Sequence, residues 1–585
     1  MYRQLIKLLI LIIVSLPFLH CKNHEVSEEE QAVLERSISE QTTICNPLDI
    51  SYRFAIDDPS RREAADPTVV LYKEEYYLFA SKSGGYWNST DLIKWDFITS
   101  KQLPFEDYAP TAVVIEDVLY FVASNNNAPI TIYKTSDPKS GIWEVANPNF
   151  PFAMTDPALF YEEGRLFLYY GCSNKDPLYG VELDINTLNP LTEPIPLLNS
   201  KKEDYGWERW GDYNDQDLNP WIEGAWVNKY NGKYYLQYAG PGTRFKSYND
   251  GVYISDKPLG PFELAKHNPM AIKPEGFING AGHGNTFQDK YGNYWHTGTM
   301  VLTLKHKFER RIGMYPAFFD KDNILHAYTG FGDAPYRVPQ RRITSPEELF
   351  PNWMLLSYKK PVTVSSELED HPKNMAADEE IRTYWSAKTG NKEEWIQMDL
   401  ENESIINAIQ INYAEHNTQL HNRNSNIYHQ YLLEYSLDDK NWKPLIDKTK
   451  STKDVPHDYI QLPNPVTARY LKLTNYFVPD GTFALADLRV FGNGQGGKPN
   501  QETKLKITRL EDRCIVKLAW NKSNNVVGYN IRYGIHPEKL YHNYQVLEND
   551  SLTIRTLNRF QKYYFTIDSF NENGILKGAE TWVAD

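Results

Sequence analysis

Four ionisable side chains, Asp66, Asp156, Glu223 and His283, open short phrases that recur along the N-terminal half of the chain. The phrases begin Asp66-Pro67, Ala109-Pro110, Asp156-Pro157, Glu223-Gly224 and His283-Gly284, and their openers lie 43, 47, 67 and 60 positions apart. Three carboxylates at matching places of a repeat suit acid–base chemistry, with one to give a proton, one to take a proton and one to spare. Cleavage of a glycosidic bond has that requirement: an acid protonates the leaving oxygen while a carboxylate on the other face activates water or attacks. A single Asp-Pro step reads as the start of a turn. Three acidic openers in register read as a site.

The elements that must hold these openers are short hairpins. After each opener comes a run of mixed polarity, then a turn marked by Gly, Asn, Asp or Glu, then an aromatic strand such as Tyr76-Tyr77-Leu78-Phe79. Repeats of about 40–50 residues, each too small to bury its own face, predict the blades of a β-propeller. The first strand of every blade then lines the central channel, and the five openers converge on one axis. Ala109 would leave room there for a ligand. The segment 172–222 after the third phrase holds Tyr205, Trp207, Trp210, Tyr213 and Trp221 and is expected to cap the channel mouth. Trp207 and Trp210, with Trp87 of the first blade, are the candidate stacking surfaces. Packing beneath the insertion is the other use for Trp residues of that segment.

The length of 585 residues predicts several domains. The fold class expected is all-β: a five-bladed β-propeller over 49–347, a β-sandwich jelly roll over 352–492 and a second β-sandwich over 501–585. Aromatics form 14% of the chain, including 41 Tyr and 14 Trp, which suits β-rich domains that handle carbohydrate. A net charge of −14 argues against a nucleic-acid partner, which needs a basic footprint. Residues 1–21 carry Arg3 and Lys7, an apolar run over 8–19 and Cys21, a secretory signal too short to be a committed membrane span. Residues 18–21 resemble a bacterial lipoprotein box with a lipidated Cys21, although His20 departs from the small residue usual there. Export, with an outer-membrane or cell-surface lipid anchor, is the expectation, and 22–48 would be a polar tether. The remaining Cys45, Cys172 and Cys514 imply no disulfide framework.

Three resemblances follow from particular phrases. Asp66-Pro67, Asp156-Pro157 and Glu223-Gly224, in that order on blades one, three and four, resemble glycoside hydrolase family 43 over about residues 50–345. The resemblance implies Asp66 as general base, Asp156 as the residue that tunes and orients the acid, and Glu223 as general acid. It implies inversion of configuration, with base and acid carboxyls about 6.5–9.5 Å apart. It places an Arg that contacts substrate at Arg310, with the adjacent Arg311 as competitor because alternation sends only one inward. It also sets His283 beneath the site, where a calcium or other cation could sit, though the chemistry itself needs no cofactor. Residues 352–492, with Trp385, Trp395–Leu400 and Asp487–Gly492, resemble an F5/8 type C (discoidin-like) domain of carbohydrate-binding module family 32. Residues 501–585, with Trp520 and Tyr533, resemble a fibronectin type III sandwich, expected to act as a spacer.

Within family 43 the β-1,3-galactan branch lacks the base Asp, so Asp66 points away from it. The implied activity is exo-acting removal of α-L-arabinofuranosyl side chains from plant polysaccharide, with β-xylosidase second. A glycan-binding surface lipoprotein without catalysis is the competing class, and the intact Asp66, Asp156 and Glu223 disfavour it.

Overall fold

The computed structural model describes residues 43–55, 61–104, 108–419 and 427–585. The signal, the Cys21 anchor and most of the tether lie outside the described residues. Residues 42–585 form one compact unit. Its regular structure is β throughout, with four short 3-10 turns and no α-helix among the described residues.

Five antiparallel sheets follow one another in chain order. The first holds Thr68–Tyr72, Glu75–Phe79, Gly85–Ser89 and Asp96–Thr99. The second begins with Thr111–Ile115, the third with Ala158–Glu162 and the fourth with Glu223–Tyr230. In the fifth, Asn279–Gly282 and Thr286–Gln288 both pair with Tyr294–Val301. The innermost strands touch in succession, and Thr286–Gln288 reaches Thr68–Tyr72 to close the ring. This is a propeller in which every blade starts at the axis, where the first residues of each innermost strand are buried in succession.

The long segment expected to cap the mouth is only partly a cap. Leu178–Leu183 and Ile195–Leu198 are the outer strands of the third sheet, so the true insertion is 199–222. The tether also ends earlier than expected. Thr43–Ile44 pairs with Tyr336–Arg337, and Cys45 is buried against Ala408 and Phe491 of the second domain.

Residues 354–494 form an eight-stranded arrangement around Trp385, Leu433, Leu471 and Phe483. Residues 505–584 form a three-stranded and a five-stranded sheet that enclose Trp520, Tyr529, Tyr533 and Phe565. Both dock on the propeller. The buried Arg62 pairs with Glu415 and, at 2.7 Å, with Asp454. Arg311 donates to His457 Nε2 at 2.8 Å. The last domain is no free spacer, since it grips the 199–222 insertion. Trp207 Nε1 donates to Asn558 at 2.9 Å, the Gly206 amide donates to the Leu557 carbonyl, and Arg209 pairs with Asp512.

Candidate active site

The openers meet, and an unusual backbone helps to place them. Asp66, Ala109, Asp156 and His283 all have left-handed φ values between 46° and 51°. Such a backbone is costly for a residue with a Cβ, and four repeats of it at one place mark a built feature. The fourth blade differs: Gly224 takes the left-handed place with φ 64°, and Glu223 stands one residue ahead, at a register break opposite Ala239. A Cβ on Gly224 would lie 2.6 Å from the His283 ring, so only Gly admits both the turn and the imidazole.

Hydroxyls at the ends of second strands fasten the ring. The Asp66 amide donates to Thr299 Oγ1, the Ala109 amide to Ser81 Oγ and the Asp156 amide to Ser124 Oγ, at 2.7–2.8 Å. The Ser81 hydroxyl then donates to Asp66 Oδ2 at 2.7 Å. These hydroxyls were visible in the repeats, at matching distances from the openers, yet sequence reasoning passed over them.

Asp66 is nearly enclosed. Burial alone would raise its pKa, but the Arg310 guanidinium at 3.1 Å, His283 Nδ1 at 3.4 Å and the Ser81 and Thr299 hydroxyls outweigh it. The carboxyl is held below its ordinary range, as a carboxylate ready to accept a proton. Arg310 is fixed in turn by buried Glu63 at 2.6 Å and by Thr243 at 2.9 Å. Arg311 points the other way, to His457, which settles the choice between the two arginines.

Asp156 has the opposite tendency. Burial pushes its pKa up, His283 pulls it down, and the charges of Glu223 and Asp66 push it up further. The His283 Nδ1 lies 3.8 Å from Asp156 Oδ2, and the Asp66, Asp156, Glu223 and Asp250 charges raise the imidazole's pKa against its burial.

Glu223 is held by two donors that the sequence did not reveal. Tyr248 donates its hydroxyl to Oε1, and Cys172 Sγ lies 2.9 Å from Oε2. Burial and the charges of Glu223 and Asp156 push the Cys172 thiol well above its usual range, so it stays a proton donor. Ligand atoms of Asp156, Cys172 and Glu223 lie within 4.8 Å of one another, a grouping that leaves His283 out.

A cavity of about 280 Å³ opens at Glu223, walled by Trp210, Trp221, Phe245 and Phe308. Trp210 meets Phe245 edge-on at 4.9 Å. The other two candidate stacking residues are not there. Trp87 is fully buried against Phe97 and donates to Ser51, and Trp207 is fully buried on Tyr205 and Tyr238. Both are core, because the strand parity and the docked C-terminal domain turn them away from the axis. Ala109 is buried at the ring and contributes backbone.

Residues 60–323 match the family "Glycosyl hydrolases family 43", and residues 361–476 match "F5/8 type C domain". No curated protein matches the chain. Among solved structures, one titled "Glycoside hydrolase" is 17% identical, covers 76% of this chain and 99% of its own, and has a TM-score of 0.44. An endo-1,4-beta-xylanase from Bacteroides thetaiotaomicron is 20% identical, with 46% of this chain and 95% of its own covered and a TM-score of 0.39. A xylan beta-1,4-xylosidase from Bacillus halodurans is 14% identical, with 92% and 91% covered and a TM-score of 0.39.

Proposed function

We propose that this glycoside hydrolase, whose residues 60–323 match glycoside hydrolase family 43, is an exo-acting, inverting enzyme on a five-bladed propeller that removes α-L-arabinofuranosyl side chains from plant polysaccharide. The observation that carries the reading is the contrast between two carboxylates. Asp66 is kept ionised by Arg310 and His283 within the ring, while Glu223 opens onto a cavity in which a leaving group can sit.

In the reaction, Asp66 takes a proton from a water as that water attacks the anomeric carbon. Glu223 gives its proton to the glycosidic oxygen as the carbon–oxygen bond breaks, and one displacement inverts the centre. Asp156 lies beside Glu223 and is given the role of orienting it. Arg310 holds the base and reaches toward the bound sugar. The surrounding carboxylates raise the pKa of His283, which favours its imidazolium beneath Asp66 and Asp156. The insertion and the turn at Lys307-Phe308 wall the cavity beside Glu223. We further propose export with a lipid anchor at Cys21, an F5/8 type C domain that binds the same glycan, and a fibronectin type III-like last domain that steadies the insertion.

The test is leaving-group dependence. Glu223→Ala should cost at least about 100-fold on oligosaccharides and much less on activated aryl glycosides, whose phenolates leave unaided. Asp66→Ala should be severe with both. Proton NMR of the first-formed sugar should show the inverted anomer. A retained anomer, or equal sensitivity in the two variants, would overturn the assignment. No turnover on any arabinofuranoside or xyloside would favour a binding protein instead.

A further inference from the structure

The cavity at Glu223 includes that residue in its wall but neither Asp66 nor Asp156. If Glu223 protonates the glycosidic oxygen, a ligand filling this cavity lies on the leaving-group side of the cleaved bond. The inference therefore rests on the role given to Glu223 above.

Two cations stand at its wall. The Arg244 guanidinium lies 5.2 Å above the Trp210 ring and 5.0 Å above Phe245, and Lys307 Nζ lies 4.8 Å above Phe308. Both are exposed, and among the described residues neither pairs with a carboxylate. Glu223 is the sole carboxylate among the residues that line the cavity. In a chain of net charge −14, two unpaired cations on one small aromatic cavity are a local reversal of sign. Contact with the two aromatic faces restrains the guanidinium, whose planar fork of donors suits an anion. They also supply the apolar surface on which a sugar ring stacks.

We propose that this cavity is the leaving-group subsite and accepts a sugar that carries an anion, either the carboxylate of a uronic acid or a sulfate ester. Arg244 and Lys307 bind the anion while Trp210, Trp221 and Phe308 hold the ring. The enzyme then selects side chains attached to an acidic backbone over the same side chains on a neutral one.

The experiment compares kcat/KM for three oligosaccharides with one terminal sugar, joined to a neutral, a uronate-bearing or a sulfated acceptor. The wild-type protein should prefer an anionic acceptor by about 10-fold, from two charge-assisted contacts partly exposed to water. The preference should shrink at about 1 M salt, where screening acts over about 3 Å. It should vanish in an Arg244→Gln, Lys307→Gln double variant. Whichever anionic acceptor wins identifies the source of the charge. Equal kcat/KM on all three, or a preference that the double variant keeps, would overturn the proposal. Calorimetry with the free acidic acceptor reads the subsite without turnover: binding by wild type that the double variant loses supports it, and no binding sinks it. An inactive enzyme that still binds the acceptor would therefore count against the role of Glu223 and not against the subsite.

Discussion

The thiol of Cys172 and the carboxylate of Glu223 are in direct contact, 2.9 Å from Sγ to Oε2. Cys172 is half-buried at the cavity, whereas Cys45 and Cys514 are fully buried. A small methanethiosulfonate reagent should therefore inactivate the enzyme through one residue, slowly at neutral pH because that thiol stays protonated and faster in alkali, and a bound sugar should protect it. Cys172→Ser keeps a donor to Glu223 and should be active and resistant. Inactivation of that variant at the wild-type rate would place the sensitive thiol elsewhere.

The acid limb of the kcat/KM profile should fall below about pH 3.9, the ordinary Asp value, because Asp66 is held as a carboxylate. The protonated His283 contributes to that depression, so His283→Gln removes a positive charge and must raise the Asp66 pKa. The limb should move to higher pH. An unmoved limb would show that another group controls it.

Gly224→Ala should be damaging although it adds one methyl group. The new Cβ would meet the His283 ring at 2.6 Å, on a backbone with φ 64°. The left-handed conformation adds about 1–2 kcal/mol of strain. We expect kcat to fall at least about 10-fold with circular dichroism unchanged, since the displaced imidazole loses both carboxylates. Wild-type kinetics would mean that the ring can move without consequence.

The catalytic ring should not survive without the second domain. A chain ended at residue 350 leaves Arg62, which is fully buried, without Glu415 and Asp454, and Arg311 without His457. Removing one partner of a buried pair costs about 3–5 kcal/mol, a large part of a domain's stability. The fragment should be insoluble or melt far below the full chain. A soluble fragment with full activity on an aryl glycoside would show that the docking is dispensable.

Two buried histidines should each weigh against stability on mild acidification. Burial lowers the pKa of His296 and of His542 to about 4, and His542 Nε2 meets the Pro269 carbonyl at the interface with the last domain. The unfolded chain protonates these rings near pH 6.5 and the folded chain does not. Their contribution is therefore whole above about pH 6.5 and is lost as the pH falls toward 4, by up to about 2 kcal/mol each at pH 5. In differential scanning calorimetry from pH 7.5 to 5, the wild-type Tm should fall relative to that of a His542→Asn variant, and parallel profiles would refute it.

The pattern of openers was open to sequence reasoning because it is local. An Asp-Pro or Glu-Gly step before an alternating run declares both the strand and the end of it that meets the axis, so Asp66, Asp156, Glu223 and His283 could be named before any coordinates. The family 43 and F5/8 type C regions were legible for the same reason. What surrounds the openers was not. Glu63, Cys172 and Tyr248 carry no repeat signature: Glu63 acts through Arg310, 247 positions on, and Cys172 and Tyr248 meet Glu223 from 51 and 25 positions away. The choice of Arg310 over Arg311 depended on strand phase: alternation says that one faces inward, and only packing says which. Trp87 and Trp207 show the same limit, since a Trp in a blade or insertion can stack on a sugar or fill a core. Residue type is the same in both cases. The side on which the chain buries it is decided by partners such as Ser51 and Asn558, the latter 351 positions away, and that is a property of the tertiary structure alone.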